Sequence, residues 1–217
     1  MNTNSNTYTF IYASILVVVV AAALAFVSEV LKPIQQSNIE SEKRLNILRS
    51  AHLALELNGV SNRNSYVADM FNKYVTNSYC VDNDPKLPVY ECTLDDGSTV
   101  YVVEVSGQGL WGPIWGFISL KDDMNTIYGA VFDHKGETPG LGAEISTKEF
   151  ARQFEGKTIF DNNRFISISV VKGGAKPGDN HAVDAISGGT ITSNALQEML
   201  YNSLEAYIPF FNSKTHQ

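Results

Sequence analysis

The sequence predicts an α+β protein: a single N-terminal transmembrane helix followed by a largely antiparallel sheet domain with helices packed around it. Three observations lead there. Phe10 to Val27 is almost wholly apolar, and no charged side chain precedes Glu29. From Thr99 onward, short runs rich in β-branched and aromatic residues alternate with turn residues such as Asp95-Asp96-Gly97. Near the C-terminus Leu196, Leu200 and Leu204 recur every fourth position, the period of a helix face.

The apolar run is long enough for a bilayer, which a helix crosses with roughly 20 mostly apolar residues. A cleaved signal peptide is the competing reading, with Ala23-Leu24-Ala25 as its cleavage site. The segment before the run carries no Lys or Arg, and the run continues past that site, so a retained anchor is the better reading. Lys32-Pro33 predicts a break, because proline disfavours helical geometry in the residue before it. Ser37 to Leu57 then reads as an amphipathic helix with Leu45, Ile47, Leu48 and Leu55 on its apolar side, stopped by Asn58-Gly59. It either links the anchor to the domain or is the domain's first helix.

Ser61 to Pro88 shows no clean period and is read as partly irregular. Strands are expected at Thr99 to Val105, Ile114 to Leu120, Thr126 to Asp133 and Phe165 to Val171. Ser146-Thr147-Lys148-Glu149 resembles a capping box opening a helix that ends at Gly156. A last helix is expected from Ile191 to Tyr207, ended by Pro209, with one face on the sheet. The domains are accordingly 1–28 (N-terminus and transmembrane helix), 29–59 (juxtamembrane helix) and 60–217 (the sheet domain, core about 98–208).

Composition narrows the chemistry. The 217 residues carry 16 basic and 23 acidic side chains, a net charge of −7, with no basic stripe, which argues against nucleic acid as a partner. Cys80 and Cys92 form no Cys-x-x-Cys pattern, so zinc or iron–sulfur ligation is not expected. A disulfide between them and two free thiols are both open readings. His52, His134, His181 and His216 lie on different elements without ligand spacing. Gly107-x-Gly109 and Gly140-x-Gly142 lack the full dinucleotide fingerprint, so nicotinamide binding by this chain is not expected.

The stretch Asp184-Ala185-Ile186-Ser187-Gly188-Gly189-Thr190 runs straight into the last helix. Helix N-termini present unpaired N–H groups and a positive dipole end, which favour bound phosphate. Gly188 and Gly189 let the backbone approach an anion closely, and Ser187, Thr190 and Thr192 supply hydroxyls. Spacing alone is equally compatible with a glycine loop followed by a serine or threonine cap.

Read in order, Gly107-Gln108-Gly109-Leu110-Trp111-Gly112-Pro113-Ile114-Trp115-Gly116, then Glu137-Thr138-Pro139-Gly140-Leu141-Gly142-Ala143-Glu144, then Ser187-Gly188-Gly189-Thr190-Ile191-Thr192-Ser193, resemble the FMN-binding domain of the C-subunit of the Na⁺-translocating NADH:quinone oxidoreductases. The resemblance covers nearly the whole chain. It implies FMN joined covalently through its phosphate to Thr190, in a motif where Gly189 stands at a position usually held by alanine. It further implies that Glu137, Thr138, Gly140, Leu141 and Gly142 lie against the flavin, with Ser187, Gly188, Gly189 and Thr192 around the phosphate. Trp111 and Trp115 either shield the ring or belong to the core. No His or Lys adjoins Thr190 to activate its hydroxyl, which fits the family's use of a separate flavin transferase that moves FMN from FAD. Asp184 is the family's acidic position, either engaging that transferase or serving as an ordinary turn aspartate.

The implied function is electron relay in a Na⁺-exporting NADH:quinone oxidoreductase of the bacterial inner membrane, among other membrane and flavin subunits and the lipid bilayer. The corresponding flavin subunit of an Rnf-type ferredoxin:NAD oxidoreductase and a flavin-free scaffold subunit are the alternatives. Orientation is contested: Lys32, Lys43, Arg44 and Arg49 follow the span and none precedes it, which by the positive-inside rule puts the domain in the cytoplasm. The family resemblance implies the periplasmic side.

Overall fold

A computed structural model describes residues 6–53 and 59–215. It divides into two compact units, Met1–Glu42 and Lys43–Gln217. Helix α1 (Asn6–Ser50) supplies the first unit and the opening turns of the second. Its apolar window has a mean hydropathy of 2.8 and buries nothing, and it is the one described helix long and apolar enough to cross a membrane. Phe10 to Val27 spans about 27 Å as a helix, close to the hydrocarbon thickness of a bilayer. This fits a single-pass anchor.

The expected break at Lys32-Pro33 is absent, since α1 runs through Pro33. Proline there removes one backbone hydrogen bond, and the good helix formers Leu31, Lys32, Gln35 and Gln36 sustain the helix on both sides. The helix also stops earlier than Asn58-Gly59. Leu53 N–H returns to the Leu48 carbonyl at 3.0 Å, and His52 takes a left-handed φ of 55°. Ser119 Oγ donates to the Ser50 carbonyl at 2.5 Å, closing the end of α1 against the sheet. Leu55 and Asn58 lie outside the described residues.

The second unit is built on a five-stranded antiparallel meander, β1 (Val75–Cys80), β2 (Pro88–Thr93), β3 (Thr99–Gln108), β4 (Pro113–Leu120) and β5 (Ile127–His134), paired in that order. Both faces are covered, which explains why β3 reads Val-Tyr-Val-Val-Glu-Val rather than as a strict alternation. Val100 and Val102 pack with Ile47 and Leu48 of α1 and with Tyr74 of α2 (Arg63–Tyr74). On the other face Val103 and Val105 pack with Leu196, Met199, Leu200 and Leu204 of α4 (Thr190–Ala206). The four-residue leucine period thus marks the buried face of α4, as the sequence predicts.

Several elements differ from expectation. The Ser61 to Pro88 stretch is ordered as α2 and β1, with Asn62 capping α2 by accepting from Ser65 N–H at 3.1 Å. The cap of α3 (Lys148–Arg152) is Thr147, which accepts from Phe150 N–H at 3.3 Å. Ser146 instead donates to the Ala143 carbonyl, so it closes the preceding 3₁₀ turn. After the short hairpin's first strand, β6 (Phe160–Asp161), the expected strand Phe165 to Val171 splits into β7 (Arg164–Phe165) and β8 (Ser169–Val171). The Ile166 and Ser167 N–H groups both turn onto the Ile159 carbonyl, and Ser167 has a φ of 61°. Strand β8 pairs in parallel with β9 (Ala182–Asp184). Pro209 opens a further helix, α5 (Ile208–Thr215), because a proline in a first turn lacks only an N–H that needs no helical partner.

The β1–β2 register rules out the disulfide reading. Cys92 faces Val75 while Cys80 faces Pro88, so the thiols sit at opposite ends of the hairpin, about 16 Å apart. Both are free, Cys80 exposed and Cys92 buried. Burial pushes the Cys92 thiol up to about 12.

Candidate functional site

The three glycine motifs meet at one end of the sheet. The first forms the β3–β4 hairpin tip, closed by Gly109 N–H on the Gly112 carbonyl at 2.8 Å. The second follows β5, where Glu137 N–H donates to His134 Nδ1 at 3.2 Å. Its Leu141 and Ala143 N–H groups both bond the Thr138 carbonyl at 3.1 Å, and Gly140 supplies the positive φ of 74° at which the turn reverses. The third leaves β9 and becomes α4, with Gly188 at φ 74°.

A single buried carboxylate ties them together. Glu137 is 4% exposed. Its Oε1 accepts from Trp111 N–H at 2.9 Å and its Oε2 accepts from Thr192 Oγ1–H at 2.5 Å. The glycines make room for it: a Cβ at Gly109 would stand 2.6 Å from Glu137 Oε1, and one at Gly142 would collide with both Thr192 Oγ1 and Glu137 Oε2. Gly107 serves packing, since a Cβ there would meet Met199 Cβ of α4 at 2.8 Å. That contact lets α4 lie close on β3.

The loop between β9 and α4 is held at both ends. Ile186 N–H donates to Ser193 Oγ at 3.1 Å, Gly189 N–H to the Ile186 carbonyl at 3.1 Å, and Ser193 N–H to the Gly189 carbonyl at 2.8 Å. The cap of α4 is Gly189, and no side chain bonds the helix start. Of the two readings the spacing left open, the serine or threonine cap is not the one seen, because the helix starts at Thr190 and places Gly189 at the cap, while Thr192 and Ser193 lie within the first turn and bond Glu137 and Ile186. The first-turn N–H groups of this 17-residue helix take no side-chain cap among the described residues, and the positive end of the dipole lies behind them. Thr190, the first helical residue, is half-buried beside exposed Ser187 and Gly188.

The ten residues read from the sequence thus divide. Ser187, Gly188, Gly189 and Thr190 form the loop, with Leu141 against it: a Cβ on Gly188 would lie 2.6 Å from Leu141 Cδ2. Thr138 and Gly140 are exposed beside Leu141. Glu137, Gly142 and Thr192 sit beneath and are buried, with Thr192 Oγ1–H on one Glu137 oxygen, Trp111 N–H on the other, and Gly142 leaving the space for both side chains. Trp111 is 68% exposed and is not core, while Trp115 is half-buried in β4. Leu110, Trp111, Leu141 and Ile191 give this end of the domain an apolar rim. The sequence reading missed that Glu137 braces Trp111; the polar run Asp133-His134-Lys135-Gly136-Glu137 carries no pattern that marks it for burial.

The sequence model of the family described as FMN-binding domain matches residues 109–205. Over 109 residues the chain is 43% identical to the C-subunit of the Na(+)-translocating NADH-quinone reductase of Vibrio anguillarum, a match covering 50% of this chain and 43% of that protein. The protein of the same name from Chlamydia muridarum is 40% identical over 123 residues, 50% of this chain and 39% of its own length. The chain thus matches less than half the length of these curated relatives. Among solved structures, the C-subunit of the reductase from Parabacteroides distasonis superposes with a TM-score of 0.74 at 39% identity, covering 83% of this chain and 96% of that one. NqrC of Shewanella oneidensis gives a TM-score of 0.66 at 27% identity, with 81% and 97% covered.

Proposed function

Since the chain belongs to the NqrC family, the C-subunits of Na(+)-translocating NADH-quinone reductases, we propose that it is the membrane-anchored flavin subunit of such a complex, with Thr190 as the residue esterified to FMN. The observation that carries this reading is the start of α4, where Thr190 stands at the first helical position behind a glycine cap that no side chain occupies. The first-turn N–H groups hold the negative charge of the phosphodiester. Gly188, in a left-handed conformation, keeps the backbone low over Leu141. Leu141, Trp111, Leu110 and Ile191 offer apolar surface to the ring system, and Thr138 offers a hydroxyl. Glu137 and Thr192 fix the seat from below. Bound FMN supplies reversible electron transfer, for which the protein provides position and electrostatics.

Thr190 is an acceptor rather than a catalyst. Its hydroxyl would accept the flavin-side phosphoryl group of FAD, with AMP as the leaving group and the proton taken by a base on the transferase. The sheet domain faces the periplasm in this reading, with partner subunits overriding the charge asymmetry around the span. Electrons pass between neighbouring flavin subunits, while nicotinamide oxidation and the Na⁺ path belong to other chains.

The test is intact mass and peptide mapping of the denatured, membrane-purified chain co-expressed with a flavin transferase. An added flavin mononucleotide on the Thr190 peptide, lost in Thr190→Val, is the expected result. Unmodified wild-type chain, or flavin retained by Thr190→Val, would overturn the assignment.

A further inference from the structure

On the side of α4 turned away from the sheet, Asn194, Glu198 and Asn202 recur every fourth position, with Gln197 and Tyr201 on the adjoining ridge. Together with the connection between β7 and β8 they line an open cleft of about 360 Å³. A row of amides and a carboxylate on a helix is ordinarily its wetted face and nothing more. Two observations at Ser167 set this one apart. Ser167 belongs to the lining, is 2% exposed, and carries the one buried side-chain polar atom among the described residues that has no hydrogen-bond partner, its Oγ. Buried hydroxyls are nearly always satisfied, so an unmet one calls for a partner that the free chain lacks. Ser167 also holds a left-handed φ of 61°, fixed by the Ile159 carbonyl, which accepts from the Ser167 and Ile166 N–H groups at 3.0 Å each. Side-chain-bearing residues held in this conformation collect at ligand clamps.

The walls are set in advance. Gln197 Oε1 accepts from Val170 N–H at 2.8 Å, which pins the side chain and leaves its amide N–H groups unbonded. Tyr201, 41% exposed, packs on Phe165 with ring centroids 5.3 Å apart. Asn194, Glu198 and Asn202 make no hydrogen bond or ion pair among the described residues. No Lys, Arg or His is part of the lining, so the cleft offers nothing to neutralise a phosphate or carboxylate. Three amides and a single carboxylate accept from and donate to neighbouring hydroxyls, and an aromatic ring covers a C–H face. We propose that the cleft binds a neutral sugar ring. Glu198, Asn194 and Asn202 bond its hydroxyls, Tyr201 lies against its C–H face, and Ser167 turns about χ1 to bring its unmet hydroxyl onto the ligand. Asn194 and Asn202 stand about 12 Å apart along the helix axis, so the site takes a free sugar or one unit of a glycan chain. The proposal stands whether or not Thr190 carries flavin.

The full chain, held in a phosphocholine detergent whose head group carries no sugar, is titrated with glucose, N-acetylglucosamine and the soluble β-linked tetramer of each. Backbone amide shifts are followed by NMR, and the melting temperature is recorded with and without ligand. At least one sugar should give saturable shifts confined to the cleft. Tighter binding of a tetramer identifies a glycan chain as the source, and equal affinity of monomer and tetramer identifies a free sugar; either supports the site. Asn194→Ala and Glu198→Ala should each weaken binding about ten-fold, the equivalent of one lost hydrogen bond, with the melting temperature of the free chain unchanged. Ser167→Ala should be at least as stable as wild type when free, since it removes an unmet buried hydroxyl, yet bind about ten-fold more weakly. No saturable shift at the cleft with any of the four sugars would overturn the proposal. Saturation by arginine amide in their place would do the same, because Glu198 would then be reading a cation. Wild-type affinity in both Ser167→Ala and Glu198→Ala would show that the sugar sits elsewhere.

Discussion

Glu137 Oε2 and Thr192 Oγ1 lie 2.5 Å apart, joining the loop after β5 to the first turn of α4 beneath Thr190. With Trp111 N–H on the other carboxylate oxygen, one side chain links the three glycine motifs.

Glu137→Ala should therefore destabilise the domain by about 2–3 kcal/mol, since it orphans the buried Thr192 hydroxyl and the part-buried Trp111 N–H at once. Glu137→Gln can still accept from Trp111 N–H and donate to Thr192 Oγ1, and should stay within about 1 kcal/mol of wild type. Urea unfolding of the detergent-solubilised chain checks both. Equal losses in the two variants would show that charge, rather than the paired hydrogen bonds, holds the motifs together.

The glycines of the site should not behave alike. Gly142→Ala drives a Cβ into Thr192 and Glu137 and should cost about 1–3 kcal/mol. Gly189 has an ordinary φ of −105°, and a Cβ there meets Ile186 Cγ2 at 2.9 Å, so Ile186 must give slightly. Gly189→Ala should lower the melting temperature a little and leave flavin content unchanged. A large rise in flavin content would instead favour a scaffold subunit that has lost its flavin.

Acid should loosen the C-terminal helix before the rest of the domain. Burial tends to raise the Glu91 carboxyl, but hydrogen bonds from Asn77, Lys214 of α5 and Tyr79 outweigh it and hold its pKa below the ordinary 4.5. A carboxyl depressed in the folded state adds stability above its unfolded pKa and loses it as pH falls through the folded one. The melting temperature should thus decline below about pH 4.5, and Glu91→Gln should flatten that decline. An identical pH profile in the variant would remove Glu91 from the account.

Thiol labelling tests both register and sidedness. An impermeant maleimide should modify exposed Cys80 in spheroplasts with the domain facing outward, and leave buried Cys92 untouched until denaturant is added. Gel mobility should not change on reduction. Labelling only after the membrane is broken would place the domain in the cytoplasm, as the Lys and Arg distribution suggests.

Strands β3, β4 and β5 and the face of α4 were legible because their residues meet packed layers, so burial writes itself into the pattern. Strand β1 was not: five of its six residues, Val-Thr-Asn-Ser-Tyr-Cys, are exposed on a sheet edge, and an edge imposes little periodicity. The split at Ser167 was hidden too, since a left-handed serine has no compositional signature comparable to glycine. At the candidate site, the motifs gave the residue identities, while their division into a loop above and a brace below depended on side-chain contacts between positions far apart in the chain. Asp184 and Glu137 look equally available as charges in the sequence; only their bonds separate an exposed carboxylate that accepts from Ala175 N–H from a buried tie.

Met199 of α4 packs against Gly107 of β3, and the same helix begins at Thr190. Synthesis delivers the hairpin tip first, Glu137 next and α4 well after both. The seat for the modification is consequently complete only once that helix has left the ribosome and docked on the sheet. Under the proposed attachment at Thr190, flavin would be added only after maturation, and a transferase that demands this geometry would inspect each chain for completed folding before committing a cofactor to it.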